Sequence, residues 1–598
     1  ILENLIDWLS QTNRLIDNVN DWNEYLDDFV ENFDKRLEPI AIDTLYQMAE
    51  DGTLDRIINE NIFNDLNDRI DGVAIDFENF KEDMNQNFAD LNDEVEQNLT
   101  HFKTEVQDTL ENSLKSRFNV LQYGAKLDGV TDDTEAFQLC ANAIADNGGG
   151  IFEIPYVDNP IIIGGTVNMP SNVILEGNNN TILAESSDNS DTPFYWVDTS
   201  NVAVKNITID GRKELKDSQQ SVGGGSNGLT FRGECTNIRV ENSKFYNTLE
   251  HGISFMGRVY TNPTRVVRPT NVVVTGCTFE RNGNPYWTAG PRGAGVMLYY
   301  GVRNIKITNN IFKNFIQTGI YVDSAYGSKE ELESLYPELP VNEGHYAGRD
   351  VIISDNEFTT TVNFWTGETS QSGAGIKVHG QQRVTIANNI INLPIGRYRG
   401  IHVDDGQERT PTHDITINGN WVVTTQQAVM VVDCSQVMVT NNKIESTQDN
   451  VVVVEAQHSP TSTIIITSNN IRGRGTQGIR VHNRDSDNLS LYAVVVNDNV
   501  VRIIGDEPEG SGGFRLVGAV DDIKIANNRF INGYYGIYVP SDALNTYIDN
   551  NTISSIEGYA IYITTDYGVV RFNTIRNSIN DIYSPNGSIV EYNLLSNE

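Results

Sequence analysis

The sequence predicts a mainly β fold, a parallel β-helical solenoid running through most of the chain, and three observations carry that prediction. A short strand pattern closed by Asn, Asp or Gly returns about a dozen times between residue 202 and the C-terminus. It reads Ile305-Lys306-Ile307-Thr308-Asn309-Asn310, then Val351-Ile352-Ile353-Ser354-Asp355-Asn356, Val384-Thr385-Ile386-Ala387-Asn388-Asn389, Val437-Met438-Val439-Thr440-Asn441-Asn442 and Ile523-Lys524-Ile525-Ala526-Asn527-Asn528. A second strand type, Gly-Ile-x-Val, alternates with it at Gly319-Ile320-Tyr321-Val322, Gly375-Ile376-Lys377-Val378, Gly400-Ile401-His402-Val403 and Gly478-Ile479-Arg480-Val481. Both alternate with period two, as a strand with one buried face does. The repeat of roughly 20 to 46 residues suits a coil that buries its inner face only against the coils above and below. The recurring Asn suits the turns, because it tolerates left-handed backbone and can stack its amide on the next rung.

Composition agrees. At 598 residues the chain exceeds one ordinary domain, and a solenoid lengthens a core without thickening it. The formal net charge is −38, and residues 1–117 hold 29 acidic against 9 basic side chains, so about half of the excess sits in the first fifth. That balance argues against a nucleic-acid partner, since phosphate contacts need clustered Lys and Arg. Cys140, Cys235, Cys277 and Cys434 have neither a disulfide framework nor metal-ligand spacing and read as small buried hydrophobes. No apolar run reaches membrane length and no secretory leader opens the sequence. Ile1 is not a start methionine, as expected of a processed or partly observed product.

Residues 73–117 read as a coiled-coil stem. Phe77, Phe80, Met84, Phe88, Leu91, Val95, Leu99, Phe102 and Val106 recur in steps of 3, 4 and 4. This eleven-residue period predicts a straight or slightly right-handed helical bundle. So narrow an apolar stripe on so polar a helix is unstable alone, which favours a parallel homo-oligomer over a hairpin with residues 1–70. A homotrimer matches a three-sided solenoid. Residues 1–72 read as shorter helices, broken near Pro39 and at Asp51-Gly52, that form an attachment segment.

Residues 118–180 open the solenoid. They contain Tyr123-Gly124-Ala125, Asp128-Gly129-Val130-Thr131-Asp132-Asp133-Thr134, an amphipathic helix over Ala136–Ala145, Gly148-Gly149-Gly150-Ile151-Phe152-Glu153-Ile154-Pro155 and Met169-Pro170-Ser171-Asn172-Val173-Ile174-Leu175-Glu176-Gly177. In this order the motifs resemble the cap segment of the pectate-lyase-like superfamily of right-handed parallel β-helices, as found in bacteriophage tailspike and appendage proteins. The resemblance implies that Asp128, Asp132 and Asp133 are turn and helix-capping residues, and that residues 181–598 form the β-helix with loop insertions. With the stem ahead of the cap, it implies a homotrimeric virion spike on the phage tail, acting at the host cell surface. The N-terminal region would dock on phage tail or neck proteins. The β-helix would bind, and usually cleave, a cell-wall or capsular polysaccharide. The acidic, Asn-rich composition resembles that of phages of low-GC Gram-positive hosts, which points to teichoic acid or a capsule.

The Asn-Thr-Asp and paired-Asp motifs of polygalacturonases in the same superfamily are missing from the sequence, so site residues follow from strand geometry. Aligning the Gly-Ile-x-Val strands places Met297, Tyr321, Lys377, His402, Met430, Val453, Arg480 and Arg515 in one outward column. Tyr299, Asp323, His379, Asp404, Val432, Glu455 and His482 form the next. Three of the eight histidines fall on these columns, with Asp405 and Asp433 adjacent. Asp323 and Asp404 are two rungs apart, about 9–10 Å, and Asp404 and Glu455 have similar spacing. Inverting glycosidases hold their carboxyls about 6.5–9.5 Å apart to admit a water. Asp323, Asp404, Asp405, Glu455, His379 and His402 are therefore the candidate catalytic residues, one carboxyl as acid and another as base, with histidine acid or base chemistry on a phosphodiester as a variant.

Long insertions at Gly257–Thr270, Arg281–Gly293, Ser324–Arg349, Thr361–Gly373 and Asp405–His413 carry Tyr286, Trp287, Tyr326, Tyr336, Tyr346, Phe364 and Trp365, with Tyr398 in a shorter neighbour. Long loops are commonly functional, and aromatic rings stack on sugars. Lys377, Tyr321, Tyr299, Trp287, Trp365, Arg480, His482 and Asp433 are the candidate substrate contacts. Arg258, Arg265, Arg268 and Arg292 are candidate partners for phosphate or uronate groups. Hydrolysis without a metal or other cofactor is the expectation. A lyase would use a polyuronate, a base such as Lys377 and often Ca2+, here on Asp323, Asp404 and Asp405. A spike that binds without cleaving, and a purely structural fibre, are the readings from other classes.

Overall fold

The computed structural model describes residues 117–596 apart from several internal segments, the longest being 325–347. The attachment segment, the stem up to residue 116, and Tyr286, Trp287, Tyr326, Tyr336, Tyr346 and Trp365 lie outside the described residues. Three long parallel sheets, of 17, 16 and 15 strands, run side by side along a solenoid; we call them A, B and C. Each coil contributes one strand to each sheet in turn, as in Gln381–Ala387 (A), Ile390–Leu393 (B) and Tyr398–Asp404 (C). The Asn-closed strands form sheet A and the Gly-Ile-x-Val strands form sheet C, in the register that the repeat predicts.

The Asn-Asn dipeptide makes the corner between sheets A and B, and its two members do different work. Asn309, Asn388, Asn441 and Asn527 adopt φ of 57°, 55°, 54° and 55°, the left-handed geometry of the turn. The second Asn points inward. Asn310, Asn356, Asn389, Asn420, Asn442, Asn469, Asn499, Asn528, Asn551 and Asn573 are buried and linked Nδ2 to Oδ1 in one continuous ladder at 2.9–3.0 Å. Each side-chain oxygen also accepts the backbone N–H of the preceding ladder member, so the corner's buried amides are paired.

Inside, like residues stack on like. Phe245, Phe279, Phe312 and Phe358 form a column with ring separations of 5.3, 4.8 and 4.7 Å. The Gly of Gly-Ile-x-Val makes room for it: a Cβ on Gly319 would lie 2.6 Å from the Phe358 ring. All four cysteines are free and buried. In the cap, Thr134–Asp146 is the helix, and its Phe137 packs 5.4 Å from Phe152 of the first coil. Asp133 accepts the backbone N–H groups of Lys126 and Leu127, Asp128 those of Val130 and Thr131, and Asp132 that of Thr134. These carboxylates pin turns, and the helix-capping contact comes from Asp132, not Asp133. Among the described residues no helix is long and apolar enough to cross a membrane.

Candidate functional site on the outer face of sheet C

The five long insertions all leave or join sheet C. Three follow its strands Ile253–Met256, Thr318–Asp323 and Tyr398–Asp404, and two precede its strands Ala294–Tyr299 and Gly373–His379. Sheet C is thus the sheet whose strands the long insertions flank in sequence. Its register aligns Met297, Tyr321, Lys377, His402, Met430, Val453, Arg480 and Arg515. Tyr299, Asp323, His379, Asp404, Val432, Glu455 and His482 align beside them.

Neighbouring rungs bring six of the candidates together. Asp404 Oδ2 lies 2.9 Å from His379 Nε2 and 3.2 Å from His402 Nε2. The Tyr321 hydroxyl meets His379 Nδ1 at 3.1 Å, and Lys377 Nζ sits 5.1 Å over the Tyr321 ring. Asp323 pairs in register with Tyr299 on one side and His379 on the other. Burial opposes the charge on Asp404, but His379, His402 and Lys377 outweigh it and hold the carboxyl well below the usual range. Asp404 is therefore ionised at any working pH and is a base or a ligand, not an acid. Burial pushes His402 well down, against the pull of Asp404. Burial, with Asp323 behind it, pushes the Tyr321 hydroxyl well up. Burial also lowers Lys377, against the pull of Asp404 and Asp323.

The column is not one continuous polar patch. Met430, Val432 and Val453 form a small apolar cluster of their own and divide it. Beyond them Glu455 is engaged by Arg484 at 3.0 Å, His482 at 3.5 Å and Gln457 at 2.5 Å. Val432 stands between Asp404 and Glu455, so these two carboxylates face separate surroundings. Arg480 meets His482 Nδ1 at 3.2 Å, next to Arg484 and Arg515. Asp433 has φ 55° and accepts the backbone N–H groups of Gln457 and His458, and Asp405 accepts from Ser459 at 2.6 Å. Both are buried and engaged at the turn that leaves sheet C. Tyr398, expected in a sugar-binding loop, is fully buried, and its hydroxyl donates to the carbonyls of Phe315 and Ile316. Its ring packs edge-on against Phe315 at 5.4 Å, inside the solenoid. Arg292 pairs with Glu250 at 2.8 Å, and Arg268 reaches the Gly301 carbonyl.

Sequence reasoning missed four features. Arg399, one residue ahead of the Gly-Ile-x-Val start, reaches His402 Nδ1 at 3.4 Å and Gln427 Oε1 at 3.0 Å. Arg484 pairs with Glu455 from just past the end of its strand. The first column continues from Arg515 through Tyr538, Tyr562 and Tyr583, whose rings stack at 5.0 and 4.8 Å. Extending the alignment past residue 515 would have found these tyrosines.

The fourth is the buried pair Glu250 and His251, beside Tyr299 and Arg292. Burial pushes Glu250 up to about 7, against Arg292, and pushes His251 down to about 3, with Arg292 adding to the effect. His251 Nδ1 accepts the Ala294 N–H at 3.0 Å, as Asn227 Oδ1 one coil earlier accepts that of His251. An unfolded histidine takes up its proton near pH 6.5, whereas the folded one waits until about 3, so this residue costs stability as pH falls through that interval. The full effect is on the order of 5 kcal/mol. Glu250 has the opposite sign and offsets it between about pH 7 and 4.5. His251→Asn keeps the acceptor and removes the titration. Its denaturation midpoint should rise relative to wild type between pH 7 and pH 4; an unchanged difference would contradict a neutral buried imidazole.

The architecture is shared with known proteins. The sequence profile described as "Right handed beta helix region" matches residues 115–330 and 344–530. No curated protein sequence is similar enough to count as a relative. Similar solved structures include the tailspike protein of E. coli bacteriophage HK620 in complex with a pentasaccharide, at 14% identity and TM-score 0.48, covering 80% of this chain and 81% of that one. An N-terminal fragment of bacteriophage Phi29 gene product 12 has 16% identity and TM-score 0.47, covering 81% and 85%. A Thermotoga maritima exopolygalacturonase has 13% identity and TM-score 0.40, covering 68% and 91%. Three parallel sheets, a cap helix over the first coil and a profile match across most of the described residues agree, and the chain belongs to the right-handed parallel β-helix family.

Proposed function

We propose that the protein is a phage tail spike or appendage that binds a host cell-surface polysaccharide and depolymerises it by hydrolysis on the outer face of sheet C. The observation that carries this reading is Asp404, a carboxylate kept ionised between two imidazoles on the sheet whose strands the long insertions flank in sequence. Asp404 activates the attacking water. Asp323, two rungs away and about 9–10 Å distant by strand spacing, is the second carboxyl and serves the leaving oxygen. Lys377, Arg399 and Arg480 supply cations for anionic groups on a wall teichoic acid or a capsule, in a chain whose net charge is −38. The N-terminal region attaches to the tail, and a homotrimer presents three such faces. Lys377 favours one second reading: an ammonium whose hold on its proton is weakened by burial is suited to proton abstraction by a polyuronate lyase.

The test is incubation of the protein with cell walls and capsule from a panel of Gram-positive strains, with mass spectrometry of what is released. Fragments with added water mean a hydrolase, and glycerol- or ribitol-phosphate units identify a teichoic acid. Unsaturated ends assign the lyase. Binding with no fragment from any strain leaves an adhesin.

A further inference from the structure

The geometry around Asp404 points to a use beyond acid–base chemistry: we propose that His379, His402 and Asp404 bind a divalent first-row transition-metal ion, with zinc the ion best suited to the donors. One ligand atom from each residue lies within 4.8 Å of the other two. Both Nε2 atoms approach the same carboxylate oxygen, at 2.9 and 3.2 Å. Tetrahedral zinc, with bonds of about 2.0–2.2 Å, needs neighbouring donors about 3.4 Å apart. The two His–carboxylate gaps therefore have to open by about 0.2–0.5 Å, and the two imidazole donors, within 4.8 Å of each other, have to settle at the same spacing by side-chain rotation.

A second observation is independent of that spacing. His379 Nε2 is buried and, although Asp404 Oδ2 is only 2.9 Å away, it lies off the line of a well-formed hydrogen bond. The contact is short, but an N–H on that nitrogen would not point along it. The other nitrogen of the ring meets the Tyr321 hydroxyl at 3.1 Å. If Nδ1 carries the proton and donates to the phenol oxygen, Nε2 presents a lone pair, which is the tautomer a metal-bound histidine takes. The three residues stand on adjacent strands, Gly373–His379 and Tyr398–Asp404, with His379 and Asp404 directly paired. The sheet fixes them before any ion arrives. Two imidazoles and a carboxylate select zinc and its neighbours over Ca2+ or Mg2+, which prefer all-oxygen sites. Three protein ligands also leave a fourth position for water.

Two groups oppose the ion. Arg399 Nη1 is 3.4 Å from His402 Nδ1, and a guanidinium can only donate, so it favours the His402 tautomer that is wrong for a metal at Nε2. Lys377 adds a second positive charge near Asp404. Arg399 therefore weakens the site, and removing it should strengthen binding.

The experiment uses the full chain, stripped with chelator, titrated with Zn2+ by calorimetry and with Co2+ by visible d–d absorption, with no polymer present. One ion per chain is expected. His379→Ala and His402→Ala should each lower affinity at least about tenfold, and Arg399→Gln, which offers Nδ1–H an acceptor, should raise it about tenfold or more. A folded wild type that shows no stoichiometric heat and no cobalt band overturns the proposal. So does binding that neither histidine variant changes, which would place the ion elsewhere. Because nothing in this readout involves a glycan, the metal site stands or falls separately from the polysaccharide reading.

Discussion

Asp404→Asn should abolish fragment release from a susceptible cell wall, lowering kcat by about 10²–10⁴-fold, while the protein still sediments with that wall. Asparagine keeps the shape of the side chain but not the charge that His379, His402 and Lys377 together stabilise. With the charge gone, neither a base nor an anionic ligand is left between the two imidazoles. Glu455→Gln is the informative comparison. Glu455 is already occupied by Arg484, His482 and Gln457, and the apolar Met430, Val432 and Val453 stand between it and Asp404. Its loss should raise KM through the loosened arginines and leave kcat within about tenfold. The two variants together decide which carboxylate pair operates. Equal loss of kcat in both would restore Asp404 and Glu455 as the acting pair. Full cleavage by Asp404→Asn would remove the site altogether.

The two outward columns are legible in the repeat itself. Gly-Ile-x-Val fixes strand phase, so once Gly319, Gly375 and Gly400 are aligned, Lys377 must lie beside His402 and His379 beside Asp404, as they do. What the alignment could not carry was everything set by side-chain reach. Asp433 and Asp405 share the neighbourhood, yet their carboxylates meet turn groups, Asp433 the backbone N–H groups of Gln457 and His458 that need acceptors and Asp405 the Ser459 hydroxyl. Tyr398 looks like any loop aromatic in one dimension, and only the coil's cross-section shows that its ring fills the interior. Arg399 sits just outside the motif, as the second residue of the strand Tyr398–Asp404 in register with Ala374, and its reach back to His402 follows from its long side chain, not from strand phase. The role of Asn was half legible. The dipeptide marks the turn, but nothing in the sequence says that one member supplies the backbone angle and the other the hydrogen bonds.

That division predicts the largest effect on stability. Asn420→Leu should cost about 3–6 kcal/mol, whereas Asn388→Gly, at the turn one coil earlier, should cost well under 1 kcal/mol. Asn420 Oδ1 accepts both the backbone N–H and the side-chain amide of Asn389, at 2.9 and 3.0 Å. Its Nδ2 donates to the Ile386 carbonyl and to Asn442 Oδ1, at 2.9 and 3.0 Å. Leucine removes these four and a fifth, from Nδ2 to the Asn418 carbonyl, and leaves two N–H groups of Asn389 buried without this acceptor, each costing about 1–3 kcal/mol. Asn388 is exposed with φ 55°, an angle that glycine adopts without strain. Coils of a solenoid contact only their neighbours, so the lesion is local: protease or hydrogen exchange should open the chain near residues 386–442 first, with distant coils still protected. Equal destabilisation by the two substitutions would mean that the turn angle, and not the buried amide ladder, holds the corner between sheets A and B together.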